Sequence, residues 1–255
     1  MKFATWNVNS LNVRLPHVLE WLSANQPDVL CLQETKQEDS KFPYGALREA
    51  GYEALHSGQK TYNGVAILSR HPLAEPMVGM TGFEDEQKRI VSASVGDIRV
   101  VCAYFPNGQS VGSDKYQYKL RWLEAFTNWL ESELIRYPNL VLLGDYNIAP
   151  EDRDVHDPKA WEGQVLVSEP EREAFRKLIG LGLYDSFRLF EQAEKAFSWW
   201  DYRMAAFRRN LGLRIDHILV SEPLKKDCMS CEIDVAPRKL ERPSDHTVVV
   251  LELSC

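Results

Sequence analysis

The stretch Val29-Leu30-Cys31-Leu32-Gln33-Glu34 runs apolar for four residues and ends on two polar ones. An apolar run without alternation suits a strand covered on both faces, in the middle of a sheet flanked by other layers. Leu140-Val141-Leu142-Leu143 repeats the pattern and ends at Gly144-Asp145. Around these two, the runs 3–8, 64–69, 98–105, 213–220 and 247–253 also read as strands. Helical spacing separates them. Leu15, Val18, Leu19 and Leu22 recur at i, i+3, i+4 and i+7; Trp122, Phe126, Trp129 and Leu130 share a face at i, i+4, i+7 and i+8 in a helix over 115–136; Phe175, Leu178 and Ile179 mark a third. This alternation predicts an α/β fold with sheet inside and helices outside. No Gly/Ser linker, low-complexity tract or repeat divides residues 1–255, so one domain is expected, with 151–169 as a loop.

The composition agrees. The 255 residues carry 30 Lys plus Arg against 37 Asp plus Glu, a formal charge of −7, with 44% hydrophobic and 26% charged residues. That excludes disordered, collagenous and coiled-coil classes, and the length suffices for a core without disulfides or structural metals. No apolar run approaches the ~20 residues of a membrane span. The first residues read as a strand rather than a signal peptide, so a cytoplasmic protein is expected, and a monomer. Of five cysteines, Cys31 and Cys102 fall in apolar runs and read as reduced core residues. Cys228-Met-Ser-Cys231 has no second pair and no neighbouring His, and reads as a surface coincidence rather than a metal or redox site. The acidic balance argues against nucleic-acid binding through overall charge, but a local basic rim suffices.

The chemistry sits where polar residues interrupt apolar strands. Asn7 and Asn9 close the first, Glu34 the second, and Asp145 and Asn147 follow 140–143. Asp216 lies inside the run 213–220, and Asp245-His246 precede the last strand. Singly, such residues read as turn formers or caps. Asp216 stands apart, because a carboxylate inside an apolar strand is expensive unless paired. Ligand sites form at strand ends of covered sheets, so these side chains can converge. Carboxylates gathered there repel by about 4 kcal/mol per pair at ~4 Å and an effective dielectric of ~20. A divalent cation removes that repulsion. Oxygen ligands without a Cys pair or His-x-x-x-His favour Mg²⁺ or Mn²⁺ over zinc. Together with one Asp–His pair, they suit phosphate-ester hydrolysis by activated water.

These residues carry a resemblance. Trp6-Asn7-Val8-Asn9, Leu32-Gln33-Glu34-Thr35-Lys36, Tyr62-Asn63-Gly64-Val65-Ala66, Tyr104-Phe105-Pro106-Asn107-Gly108, Gly144-Asp145-Tyr146-Asn147, Ser198-Trp199-Trp200-Asp201-Tyr202-Arg203, Gly212-Leu213-Arg214-Ile215-Asp216 and Pro243-Ser244-Asp245-His246 follow one another across nearly the whole chain. Eight motifs in this order resemble the exonuclease III family of DNA-repair nucleases (AP endonuclease family 1), within the endonuclease/exonuclease/phosphatase superfamily. The resemblance implies a four-layer α/β sandwich: two central mixed β-sheets flanked by helices, with an active site at their shared edge. It implies Mg²⁺, replaceable by Mn²⁺, held chiefly by Glu34 with Asn7 and Asp245. Asp145 orients or deprotonates the attacking water, and Asn147 holds that geometry. His246, oriented by Asp216, contacts the scissile phosphate, and Tyr104 contacts the phosphate or leaving oxygen. Trp199, Leu213 and Ile215 line a pocket for a flipped-out abasic sugar, with one of Trp199 and Trp200 expected in the core.

Lys36, Lys115 and Lys119, with Arg203, Arg208, Arg209 and Arg214, are expected to contact phosphates of double-stranded DNA carrying abasic sites, nicks or blocked 3′ ends; 203–214 holds four arginines and no acid. Two departures stand out. Some relatives carry Asp where this chain has Asn9. More consequential is the loop Gln164-Val165-Leu166-Val167-Ser168-Glu169-Pro170-Glu171-Arg172. Relatives commonly show a small residue and Phe-Leu-Pro before a Glu-Arg pair, and ungapped counting puts Leu166 on the small position. A bulky residue there obstructs a continuous strand. The expected activity is therefore 3′-phosphatase and 3′→5′ exonuclease, with abasic incision in doubt. The alternatives are a full AP endonuclease, an inositol-phosphate or lipid phosphatase, an RNA exonuclease or deadenylase, and an inactive DNA-binding module. An inactive module is expected to have lost one of Glu34, Asp145, Asp216, Asp245 or His246, and all five are present.

Overall fold

In the computed structural model, which describes residues 1–254, the apolar runs become the inner strands of two sheets. β1 (Lys2–Asn7), β2 (Val29–Gln33), β3 (Glu53–Ser57) and β4 (Val65–Ser69) belong to the first. β5 (Ala74–Val78), β6 (Ile90–Val95), β7 (Ile98–Tyr104), β8 (Leu140–Asp145) and β9 (Leu183–Asp185) belong to the second. β10 (Trp199–Trp200) and β11 (Gly212–Leu213) form a short ribbon. β12 (Asp216–Ser221) returns to the second sheet, and β13 (Cys228–Asp234) and β14 (Val248–Leu253) to the first. The strand orders are β13-β14-β1-β2-β4-β3 and β5-β6-β7-β8-β12-β9. Each sheet holds one parallel pair, β1/β2 and β7/β8, and antiparallel pairs otherwise.

Both faces of the inner strands are covered, which is why their sequences do not alternate. Between the sheets, Phe3, Val29 and Cys31 share a core with Val100, Cys102, Val141 and Leu143. Outside the first sheet lie α1 (Leu11–Asn25) and α2 (Tyr44–Glu49), whose Val18, Trp21, Leu22 and Leu47 cluster with Trp6, Leu30 and Leu32. Outside the second lie α3 (Asp114–Arg136) and, after the single turn α4 (Pro158–Trp161), α5 (Glu169–Gly180). Their Trp122, Phe126, Leu130, Phe175 and Leu178 cluster with Val101, Leu140 and Leu142. α6 (Glu222–Lys225) follows β12. This is the four-layer sandwich, helix–sheet–sheet–helix, that the motifs imply. α3 starts where the Ser113 hydroxyl accepts from Tyr116 N at 3.1 Å with Asp114 in the first turn.

Three expectations change. The run 213–220 is not one strand: it breaks at Arg214-Ile215 between β11 and β12, because Arg214 turns into buried ion pairs. The stretch 151–169 is not wholly loop, since it contains a 3₁₀ turn at Asp152–Asp154 and α4. Cys228 and Cys231 lie on β13, and Cys231 is buried, accepting from Ser186 Oγ at 3.2 Å, with burial pushing its thiol up to about 12. Cys31 and Cys102 are free thiols in the inter-sheet core. Among the described residues no helix is long and apolar enough to cross a membrane.

Candidate active site

The parallel pairs set the site. Asn7 ends β1 beside Gln33, so Glu34 emerges next to it. Tyr104 ends β7 beside Asp145 on β8, and Asp216 opens β12 opposite Asp145. His246 bridges to Trp199 just before β14. The Glu34 turn is pinned by Thr35 N donating to Gly64 O at 3.1 Å and Lys36 N to Asn63 O at 2.9 Å. Gly64 has φ +94°, and a Cβ there would meet Thr35 Oγ1 at 2.1 Å, so the Tyr62-Asn63-Gly64 motif requires its glycine.

A continuous chain of contacts joins both sheets. Ser198 Oγ donates to Asp216 Oδ2 at 2.7 Å, and His246 Nδ1 stands 2.9 Å from the same oxygen. His246 Nε2 lies 3.6 Å from Asp145 Oδ2. Asn7 Nδ2 donates to Asp145 Oδ2 and Glu34 Oε1, each at 2.8 Å. Asn147 N donates to Asp145 Oδ1 at 2.9 Å, and Asn107 Nδ2 to Asn147 Oδ1 at 3.1 Å. Ligand atoms of Glu34, Asp145 and His246 all lie within 4.8 Å of one another, a candidate metal cluster. Asn7 accepts from Asn9 N through Oδ1 at 3.0 Å, so it bridges the carboxylates rather than turning its oxygen to them. Asp245 stands outside that trio, accepting from Trp199 Nε1 and Asn9 Nδ2, each at 3.0 Å.

Burial raises the Asp145 carboxyl to about 7; Asp216 adds to this, while His246 and the Asn7 and Asn147 hydrogen bonds oppose it. For His246 burial acts downward, but the Asp216 and Asp145 carboxylates outweigh it and raise the imidazole to about 10. Burial, followed by Glu34 and Asp145, pushes the Tyr104 phenol well above its usual range, so it stays a donor. The Arg89 guanidinium sits 4.8 Å from the Tyr104 ring centroid.

Beside this polar edge, Trp199 packs against an apolar cluster of Leu166, Leu213, Ile215, Ala149, Val155 and Val167. Leu166 is thus a member of the cluster that Trp199, Leu213 and Ile215 form. It is buried with φ +77°, the left-handed region that favours glycine. Trp200 is the core member of the pair, clustered with Phe197 and Ala206.

The basic residues divide. Lys36 is at the site, 3.0 Å from Glu34 Oε2 and 2.6 Å from Asn9 Oδ1. Lys115 is exposed and lines a 710 Å³ cleft with Tyr62, Asn63 and Tyr104. Arg208 and Arg209 are exposed, and Arg203 is exposed but paired with Asp201 at 2.6 Å. Lys119 and Arg214 are not phosphate contacts. Lys119 is fully buried against Glu171, and Arg214 is buried between Asp154 and Asp185, both at 2.7 Å. An unpaired buried cation is costly, so these charges are committed inside. Sequence reading missed Ser198, Asn107 and Arg89. Asn107 carries the same signal as Asn147, a polar residue just beyond a covered strand; Ser198 opens a quoted motif, and Arg89 carries no signal.

His217, next to Asp216, accepts at Nδ1 from Arg214 Nη1 at 3.1 Å and donates from Nε2 to Ile148 O at 2.9 Å. A guanidinium only donates, so this imidazole is neutral. Burial and then Arg214 pull it down to about 4. The unfolded value is about 6.5, so its contribution is complete above that pH and is lost as pH falls toward 4, by about 3 kcal/mol in all. His217→Gln is expected to flatten the fall in urea midpoint between pH 7 and pH 5. An identical fall in the variant would remove His217 from the acid sensitivity.

The model of the endonuclease/exonuclease/phosphatase family matches residues 4–246. Exodeoxyribonuclease III of Haemophilus influenzae is 39% identical over 269 residues, covering 99% of each chain. A Neisseria 3′ phosphatase bound to a product DNA hairpin superposes with a TM-score of 0.98 at 46% identity, covering 99% of each chain. An AP endonuclease from Archaeoglobus fulgidus gives 0.96 at 39%, over the whole of both chains. The chain belongs to the endonuclease/exonuclease/phosphatase family, in its exonuclease III branch.

Proposed function

We propose that this exonuclease III-type DNA-repair nuclease is a Mg²⁺-dependent phosphoesterase acting mainly at 3′ ends. It removes 3′-phosphates, 3′-blocking groups and 3′-terminal nucleotides from duplex DNA, and incises abasic sites weakly. The observation that carries the hydrolytic reading is the unbroken run Asp216–His246–Asp145–Asn7–Glu34 at the shared edge of the sheets. The donor set fits a hard cation: two carboxylates converge on one Asn7 nitrogen, and oxygen ligands predominate. Glu34 would hold it, with Asp145 beside it and Asn7 and Asp245 supporting. When bound, such an ion neutralises phosphate charge and acidifies water.

The chain's own groups supply the rest. Asp145, buried and raised to about 7, is poised near neutral pH to take the proton of the attacking water. Asn7 and Asn147 fix the direction of its oxygens. His246, charged and held by Asp216, meets the phosphate oxygens, and Asp216 is locked by Ser198. The Tyr104 phenol donates to the phosphate or leaving oxygen. Lys36, Lys115, Arg203, Arg208 and Arg209 supply phosphate contacts along the duplex. Three rates measured side by side test the reading: an abasic duplex, a nicked 3′-phosphate duplex and a recessed 3′-hydroxyl duplex. Abasic incision as the fastest of the three would overturn the activity split.

Leu166 carries that split. It fills the apolar cluster that Trp199, Leu213 and Ile215 would offer to a flipped sugar. Flipping already costs a few kcal/mol, and a filled pocket adds to it, whereas a strand ending at a nick can swing aside. Leu166→Gly empties the space and also suits the left-handed backbone. Abasic incision is expected to rise at least several-fold with 3′-phosphatase nearly unchanged. Equal change in both activities would refute a selective role.

A further inference from the structure

The buried ion pair below the active site links two strained stretches of backbone. Lys119 on α3 and Glu171 in the first turn of α5 are both fully buried and in direct contact. Lys119 Nζ also donates to Asn147 O at 2.7 Å and Asn107 O at 3.2 Å. Glu171 Oε1 accepts from Leu166 N at 3.1 Å, while Oε2 accepts from Ser168 N at 3.1 Å and Ser168 Oγ at 2.5 Å. Ser168 Oγ in turn meets Tyr116 OH at 2.7 Å. Asn147 and Leu166 both have left-handed backbone, with φ +49° and +77°. Non-glycine residues hold such angles only where the surroundings over-determine them. Here one Lys–Glu pair grips the carbonyl of the first and the amide of the second. The Lys119 stem is tightly enclosed: a Cβ on Gly108 would meet Lys119 Cδ at 3.1 Å and Val165 Cγ2 at 3.2 Å.

We infer that Lys119 and Glu171 are positioning residues that clamp Asn147, Asn107 and the Leu166 loop into one rigid unit, so that the chemistry and the pocket wall are set together. Neither reaches substrate. A buried pair with these particular partners is poor as a stability device, since apolar replacements of similar volume are often as stable. Its value here lies in the two carbonyls and two amides it fixes. Placement matters because a shift of an ångström in a catalytic group costs about 10²-fold. The Asn107 side chain extends the clamp, because its Nδ2 holds Asn147 Oδ1.

This inference rests on the roles proposed for Asn147 and Leu166. It is tested on whichever of the three duplexes the wild-type protein cleaves fastest, so an error in the activity split does not touch it. Lys119→Met is expected to lower kcat at least ~10-fold, with KM and the Mg²⁺ titration midpoint within about 3-fold of wild type. Lys119→Met alone strands the Glu171 charge and can misfold. In Lys119→Met/Glu171→Leu no buried charge is left unpaired, so part of the thermal stability lost in the single variant is expected to return while kcat stays low. Recovery of wild-type kcat in the double variant, or normal kcat in either, would reduce the pair to a structural element and overturn the inference. A raised KM at normal kcat would do the same.

Discussion

Asp145→Ala and His246→Ala are each expected to lower kcat on a 3′-phosphate duplex at least ~10²-fold, the low end for a positioned proton-transfer group, while KM changes far less. The two residues face each other across 3.6 Å and their charges are interdependent. Asp145 is raised to about 7 by burial although His246 opposes the shift, and His246 reaches about 10 because Asp216 and Asp145 face it. Removing either carboxylate therefore changes the imidazole as well. Asp145→Asn keeps the shape and the Asn147 contact but cannot accept the proton, so it should lose nearly as much as Asp145→Ala. Losses in Asp145/His246 double variants should be far smaller than the product of the single losses, as expected of groups acting as one unit. A variant with normal kcat and a raised KM would mean that its residue only binds substrate.

What could be read from residues alone follows the physics of burial. Val29–Gln33 was legible because a strand covered on both faces has no polar side to show. The edge strands Ala74–Val78 and Cys228–Asp234 were not, because half-exposed edges mix Glu75, Pro76, Ser230 and Glu232 with apolar residues and resemble loop. Asp216 announced a partner by standing in an apolar strand, and it has two in Ser198 and His246. Lys119 and Arg214 misled for the converse reason. Local sequence reads a cation as solvent-facing, and their neutralising partners Glu171 and Asp154 come from 52 and 60 residues away. The arginine run also has an acid just outside its bounds: Asp201 lies two residues before Arg203 and pairs with it. Leu166 shows the opposite limit. Counting along a motif singled it out, yet its left-handed backbone, which explains why glycine suits the position, has no trace in the residue type.

Chelation with EDTA is expected to abolish activity, and Glu34→Ala to remove most of it, at least ~10²-fold, with a weakened response to added Mg²⁺. Glu34 and Asp145 contact the same Asn7 nitrogen, so two carboxylates stand within a few ångströms of one point. Among the described residues, one cationic side chain, Lys36 at 3.0 Å, offsets Glu34 directly. A phosphate brought to this edge adds further negative charge. At ~4 Å and an effective dielectric of ~20, each like-charged pair costs about 4 kcal/mol. A divalent ion held by Glu34 would reverse that sign, and its loss should therefore appear in both KM and kcat. Glu34→Gln separates the contributions: it keeps the Asn7 contact but halves the negative charge of the pair, so activity should return in part at high Mg²⁺, which Glu34→Ala should not show. Undiminished activity in EDTA, or a Glu34→Ala protein with wild-type Mg²⁺ response, would place the ion elsewhere and leave phosphate binding to the basic side chains alone.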